Sequence, residues 1–317
     1  VTVDLILGGS GFIGRHVGIA LAKRGHRVRL TGRSPVCPID DYLTEYLTYE
    51  VLDLRTADWD RMLAGVDIIH HYAWSSIPET ANKDPVNDLQ TNVQSTLLLL
   101  EAMRRRGGGR LVFTSSGGTV YGRIKSVPVV EEHALEPISL YGAAKVAVEQ
   151  YLGVYRYAHG IDCRIARLSN PFGIGQKVEG NQGAATIFMH RALAAEPIRI
   201  YGDGEIVRDY IHISDAVTGL LAVSSAQLGP DSPFVYNLAS GRGTSLNGIV
   251  SALASCLGRQ IAVEYLPGRG FDVPISVLNV TRARQELNWA PRLSFANGLQ
   301  LALDDHASGA RTVSTLQ

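Results

Sequence analysis

Close to its N-terminus the chain passes from a short apolar stretch, Val3–Leu7, into Gly8-Gly9-Ser10-Gly11-Phe12-Ile13-Gly14 and then a helical pattern through Ala22. Three glycines at this spacing leave few folds open. Gly8 allows a tight turn, Gly11 allows close approach of backbone to a pyrophosphate, and Gly14 lets a helix pack close on the strand. The free N–H groups at the helix start then face the phosphates. Arg24-Gly25 stops the helix and His26–Thr31 reads as a second strand. The opening is therefore a strand–turn–helix–strand unit that implies nucleotide binding, with Gly8, Ser10, Gly11, Phe12, Ile13 and Gly14 as its cradle.

An acid at the end of the second strand would take the adenine-ribose hydroxyls. Here that strand ends Leu30-Thr31-Gly32-Arg33. Arg33 suits a 2′-phosphate, which favours NADP over a strict NAD preference; it equally suits a solvated arginine opening a loop. Tyr49–Leu54 reads as a third strand that brings Asp53 and Leu54 to an adenine edge. Asp67–Ala73 reads as a fourth, ending in Tyr72 and Ala73. His70 and His71 are adjacent and so face opposite ways, which argues for core roles over a metal site. Asn92 opens a long apolar helix, and Leu111–Thr114 is a further strand running into Ser115-Ser116.

Tyr141 and Lys145 then stand one helical turn apart on one face. A neighbouring ammonium favours the phenolate, so the spacing predicts that Lys145 lowers the Tyr141 pKa toward a general-base range. Strands and helices alternate over roughly 165 residues, which implies a parallel, doubly wound sheet with ligands at the carboxyl ends of its strands. The glycine turn, Asp53, Ala73, Ser116 and Tyr141 all fall at or just beyond such ends.

Bulk properties narrow the partners. A formal net charge of zero offers no field to recruit nucleic acid or an anionic membrane. No apolar run reaches membrane-spanning length. Cys37, Cys163 and Cys256 are far apart and odd in number, without metal spacing, which fits a reducing cytoplasm. The 25 Arg against 5 Lys reflect either a GC-rich genome or phosphate recognition by arginine.

From Gly8 to about Pro291 the chain resembles the extended short-chain dehydrogenase/reductase family, in its NAD(P)-dependent nucleotide-sugar epimerase/dehydratase branch. The resemblance rests on an ordered set: the glycine turn, Asp53-Leu54, His71-Tyr72-Ala73, Asn92, Ser115-Ser116 and Tyr141-x-x-x-Lys145. It continues through Arg167-x-x-Asn170-Pro171-Phe172-Gly173, Gly202-Asp203-Gly204, Arg208-Asp209-Tyr210, Tyr236-Asn237-Leu238, Arg269-x-x-Asp272 and Trp289-Ala290-Pro291. It implies a Rossmann-type α/β fold, a doubly wound parallel sheet with a smaller C-terminal α/β substrate domain. Residues 1–169 would bind the dinucleotide, with a segment near 206–240 returning to that domain, and 170–317 would hold mainly the nucleotide sugar.

The family's roles carry over residue by residue. Tyr141 would be the acid/base, Lys145 would hold the nicotinamide ribose, and Ser116 would hydrogen-bond the reacting oxygen. Asn92 would join the cofactor site, and Asn170, Arg208 and Arg269 would contact the nucleotide diphosphate. The segment Ser116-Gly-Gly-Thr-Val-Tyr-Gly is one residue longer than the common form. Counting forward selects Ser116, counting back lands on Gly117, and Ser115 and Thr119 stand as lesser candidates.

The resemblance implies a 4-epimerase working through NAD, with an NADPH-dependent 4-keto reductase as the alternative. A 4,6-dehydratase is disfavoured because Gly117-Gly118-Thr119 stands where its extra acid/base groups belong. Seven residues past Arg269 is Ser276, where epimerases restricted to non-acetylated sugars carry tyrosine; serine leaves room for a 2-acetamido group. A homodimer through the Asn92 helix and the Tyr141–Ala158 helix is implied as well, with the Thr96–Leu100 run either in that interface or in the monomer's core.

Overall fold

Residues 1–36, 45–178, 183–268 and 273–309 are described by a computed structural model. Cys37, Arg269 and Asp272 lie outside them. Seven parallel strands form the large sheet: β1 (Val3–Leu7), β2 (Arg27–Gly32), β3 (Leu47–Val51), β4 (Ile68–His71), β5 (Arg110–Ser116), β6 (Asp162–Leu168) and, after an excursion, β10 (Val235–Leu238). Their order is β10-β6-β5-β4-β1-β2-β3. The excursion carries β7 (Asn170–Phe172), β8 (Ile198–Tyr201) and β9 (Val207–His212); beyond β10 come β11 (Gly243–Ser245), β12 (Val263–Leu266) and β13 (Ile275–Ser276). The strands β11, β9, β13 and β7 make a smaller sheet, and β12 pairs with β8.

The sheet is central because its strands are apolar on both faces, as parallel strands under helices must be. Leu5, Leu7, Ile69, Leu111 and Phe113 face one core, while Ile6, Val28, Leu30 and Val112 face the other. The helices labelled here are α1 (Phe12–Ala22), α2 (Ser95–Arg105), α3 (Leu140–His159) and α4 (Ile213–Ser225). A third core, around Phe172, Phe188 and Tyr210, stands under the small sheet. Of the 206–240 segment, β10 extends the large sheet, whereas β9 belongs to the small one.

Two local differences from the sequence reading have physical causes. Asn92 does not open a helix: it lies inside a helical run over 85–105, in the π-helical segment Leu89–Gln94. The run begins after Asp84, whose carboxylate accepts Asn87 N–H, with Pro85 in the first turn, where a missing N–H costs nothing. The apolar run also divides. Leu99 and Leu100 are fully buried in the chain's own core, while Leu98 is exposed.

Candidate active site

The phosphate cradle is built from contact rather than from side chains. Gly8 has φ +83°, and a Cβ there would meet Ala73 N at 2.7 Å, so the turn presses directly on the end of β4. Only glycine meets both conditions. Phe12 and Ile13 open α1, whose cap residue Gly11 provides no side-chain hydrogen bond. Asp53 lies just past β3, with its carboxylate accepting from Arg55 Nε and Nη2 and from the Arg55 backbone N–H; Arg33 is exposed just past β2. Leu54 is half-buried against the second core.

The histidine pair behaves as alternation requires. His70 Nε2 reaches Asp4 at 2.8 Å and its Nδ1 reaches the Tyr72 hydroxyl at 3.0 Å, while His71 reaches Thr96 Oγ1 at 3.0 Å on the other face. Asn92 is buried, and its amide is engaged close by. It accepts from Ser75 N–H at 2.9 Å and donates to Asp88 at 2.8 Å, which fixes the loop that follows β4.

At the end of β5 the predicted trio meets. Ser139 caps α3 by accepting Gly142 N–H at 3.2 Å, which places Tyr141 in the first turn and Lys145 one turn on. Lys145 Nζ donates to Thr114 O at 2.8 Å. The Ser116 side chain stands at the end of β5 on the side of the Tyr141 phenol, where it favours the ionised form. Gly117, the other end of the count, is pressed against Leu278 with no room for a side chain. Ser115 and Thr119 have buried hydroxyls without partners among the described residues, as does Thr114.

The electrostatics differ from what the spacing predicts. Burial first, and then the Asp88 carboxylate, push the Tyr141 phenol well above its ordinary range; only the Ser116 side chain pulls it down. Burial pulls Lys145 down to about 7, against the Glu149 and Asp88 carboxylates. The ammonium lies closer to two other rings than to the phenol ring. Its Nζ lies 3.7 Å over the Trp74 ring, 4.6 Å over Phe113 and 5.9 Å from the Tyr141 ring. Spacing on one helix could not show that residues from β4, β5 and the 85–88 turn would surround the pair.

Next to the small sheet is a cavity of about 430 Å³, lined by Asn170, Phe188, Arg191, Arg199, Tyr201 and Arg208 among others. Asn170 and Arg208 thus line one cavity. Arg191 and Arg199 carried no sequence signal, because 25 arginines offer no way to choose among them. Ser276 is buried on β13 opposite Arg208 of β9. Arg269 falls outside the described residues.

Residues 5–239 match the NAD dependent epimerase/dehydratase family. The chain belongs to that family. It is 32% identical over 302 residues to a UDP-glucose 4-epimerase of Mycolicibacterium smegmatis, covering 93% of this chain and 95% of that protein. Among solved structures, a UDP-glucose 4-epimerase of Thermotoga maritima, in a structure with UDP-glucose, superposes with TM-score 0.90 at 29% identity, covering 97% and 99%. A UDP-N-acetylglucosamine 4-epimerase of Methanobrevibacter ruminantium, in complex with UDP-N-acetylmuramic acid, gives TM-score 0.89 at 26%, covering 97% and 98%. The protein is therefore an enzyme, UDP-glucose 4-epimerase-like, and its cofactor is NAD. The residues present fit that group: the Gly8 turn excludes a Cβ, and unpartnered hydroxyls gather at the end of β5.

Proposed function

We propose that the protein is a nucleotide-sugar 4-epimerase acting on UDP-hexoses and accepting UDP-N-acetylhexosamines. The observation that carries this reading is the meeting of Tyr141, Lys145 and Ser116 at the end of β5. The chemistry NAD supplies there is a hydride acceptor for sugar carbon 4, and later the donor. Tyr141 takes the proton of the 4-hydroxyl as a phenolate, a form that the positive nicotinamide ring of bound NAD would favour against burial, and returns it later, so the cycle is proton-neutral. Ser116 hydrogen-bonds the reacting oxygen, and Lys145 holds the nicotinamide ribose. Gly8, Ser10, Gly11, Phe12, Ile13 and Gly14 cradle the pyrophosphate; Asp53, Leu54, Tyr72, Ala73 and Asn92 complete the cofactor side.

Asn170 and Arg208 orient the diphosphate, with Arg269 assigned on resemblance alone. Arg191 and Arg199, which line the same cavity, join them in this reading. Guanidinium forks suit a diphosphate, since they bond it bidentately. Ser276 leaves space beside C2 of the sugar. A homodimer through α2 and α3 belongs to the proposal, because exposed Leu98, Tyr151 and Val154 lie along those helices. A cytoplasmic setting is proposed on the free Cys163 and Cys256. No helix among the described residues is long and apolar enough to cross a membrane.

The test is an NMR time course with UDP-glucose and, separately, UDP-GlcNAc, using purified protein without and then with added NAD. Appearance of the galacto-configured products is expected. Ser276→Tyr should lose the acetamido substrate by at least about tenfold relative to UDP-glucose, a loss on the scale that steric exclusion of a few heavy atoms produces. No conversion of either sugar, with NAD present, sinks the reading; conversion of a 4-keto sugar with NADPH would replace it with a reductase.

A further inference from the structure

The ammonium of Lys145 is buried and has three N–H groups, yet among the described residues its only conventional acceptor is Thr114 O at 2.8 Å. What faces the rest of it is aromatic. The Trp74 ring lies 3.7 Å from Nζ and the Phe113 ring 4.6 Å. Trp74 also meets Tyr141 edge to face, with ring centroids 6.0 Å apart, and its indole N–H is buried without a partner among the described residues. It follows Ala73, the residue against which Gly8 is pressed, so its backbone is fixed by the cofactor turn.

We propose that Trp74 is a positioning residue of the active site, whose ring face holds the Lys145 ammonium at the end of β5 and keeps it charged. Indole has the most negative ring face of the side chains, and a cation over it gains most when water is excluded. The charged groups around Lys145 are few. Glu149 on its own helix is paired with Arg167 at 2.6 Å. Asp88 accepts from Asn92 at 2.8 Å and from the Ser76 hydroxyl. His71, on β4, is held neutral by burial, with a pKa of about 3. Burial pulls Lys145 itself to about 7, so removing the ring removes one of the few contributions that favour the cation. Because the ring touches the ammonium and packs edge to face on Tyr141, its loss also frees the ammonium from its present seat.

This inference rests on the catalytic reading of Lys145 but is testable apart from it. With only five lysines in the chain, lysine-selective ¹³Cε labelling resolves Lys145, assigned by Lys145→Arg, and its titration is followed by NMR. Trp74→Leu should lower that titration by roughly one pH unit or more. The alkaline limb of kcat/KM should move down with it, and kcat at neutral pH should fall about tenfold. Trp74→Phe keeps a ring and should hold both curves within about half a unit. A Lys145 titration unchanged in Trp74→Leu, or displaced equally in Trp74→Phe, overturns the proposal. A displaced titration in a protein that epimerises nothing would leave it standing and remove only the proposed reaction.

Discussion

Two polar regions lie within a few residues of each other along the large sheet, and they are built on opposite terms. Behind α3, Arg167 is buried and every direction of its guanidinium is answered. It donates to Glu149 at 2.6 Å, to the Tyr121 hydroxyl at 3.0 Å and to Glu131 O at 2.8 Å; Tyr121 donates on to Asn237 at 2.6 Å. At the end of β5, by contrast, Thr114, Ser115, Thr119 and Trp74 hold buried polar atoms without partners among the described residues, and Lys145 has a single acceptor. Buried polar groups in folded proteins are normally satisfied, so the exceptions need a reason. The first region holds the fold together; the second keeps polar atoms without protein partners among the described residues, where the proposed substrate and cofactor would sit.

Three changes would break or sharpen that contrast. The largest effect is expected from Tyr141→Phe, which removes the proposed proton carrier from the second region. Its kcat should fall roughly 10³- to 10⁴-fold, the upper range for general acid–base catalysis, with the melting temperature held. Turnover measured by NMR decides it, and a loss under tenfold would transfer the role to another group. Next, Arg167→Met strikes the complete region and leaves the buried Glu149 carboxylate unpaired. Unfolding in urea should show about 3–5 kcal/mol of lost stability. If the midpoint barely moves, the network is not the brace described here.

The smallest effect per step comes from pH. Burial lowers His16 and His212 to about 4, and His71 to about 3, from an ordinary 6.5. Their folded values are depressed, so below pH 6.5 the unfolded chain takes up protons that the folded chain refuses. Stability should therefore fall as pH drops from 6.5 toward 4, by up to about 1.4 kcal/mol per unit for each histidine. Urea midpoints at pH 7, 6 and 5 report this, and His16→Gln should flatten the slope by about a third. A flat pH response in the parent would contradict the burial of these rings.

How much of this could be read in the residues depends on whether the cause is local. Gly8 and Gly14 announce the turn because a turn is a matter of a few dihedral angles. That Ser116 closes a strand could be read along that strand alone, although the count back from Tyr121 lands on Gly117. The start of the helical run at Asp84-Pro85 was equally local, and that cap signal is visible in the sequence once the pair is read together. The setting of Lys145 was not local: Trp74 comes from the loop just past β4, Phe113 from β5 and Asp88 from the helical run over 85–105, more than fifty residues away from it. Burial, which spacing along a helix cannot show, reverses the expected effect on Tyr141. Arg191 and Arg199 become distinguishable from the other arginines only when a cavity closes between them.

The route of the chain from β6 to β10 also sets an order of events in synthesis. The strand that completes the large sheet beyond β6 is made roughly 65 residues after it, once the small-sheet strand β9 has been laid down, which at 5–20 residues per second is about 3–13 s. Through that interval β6 is an open edge, with Ile165, Ala166 and Leu168 awaiting a neighbour. The nascent chain is thus asked to protect its own sheet margin until β10 arrives to pair with it.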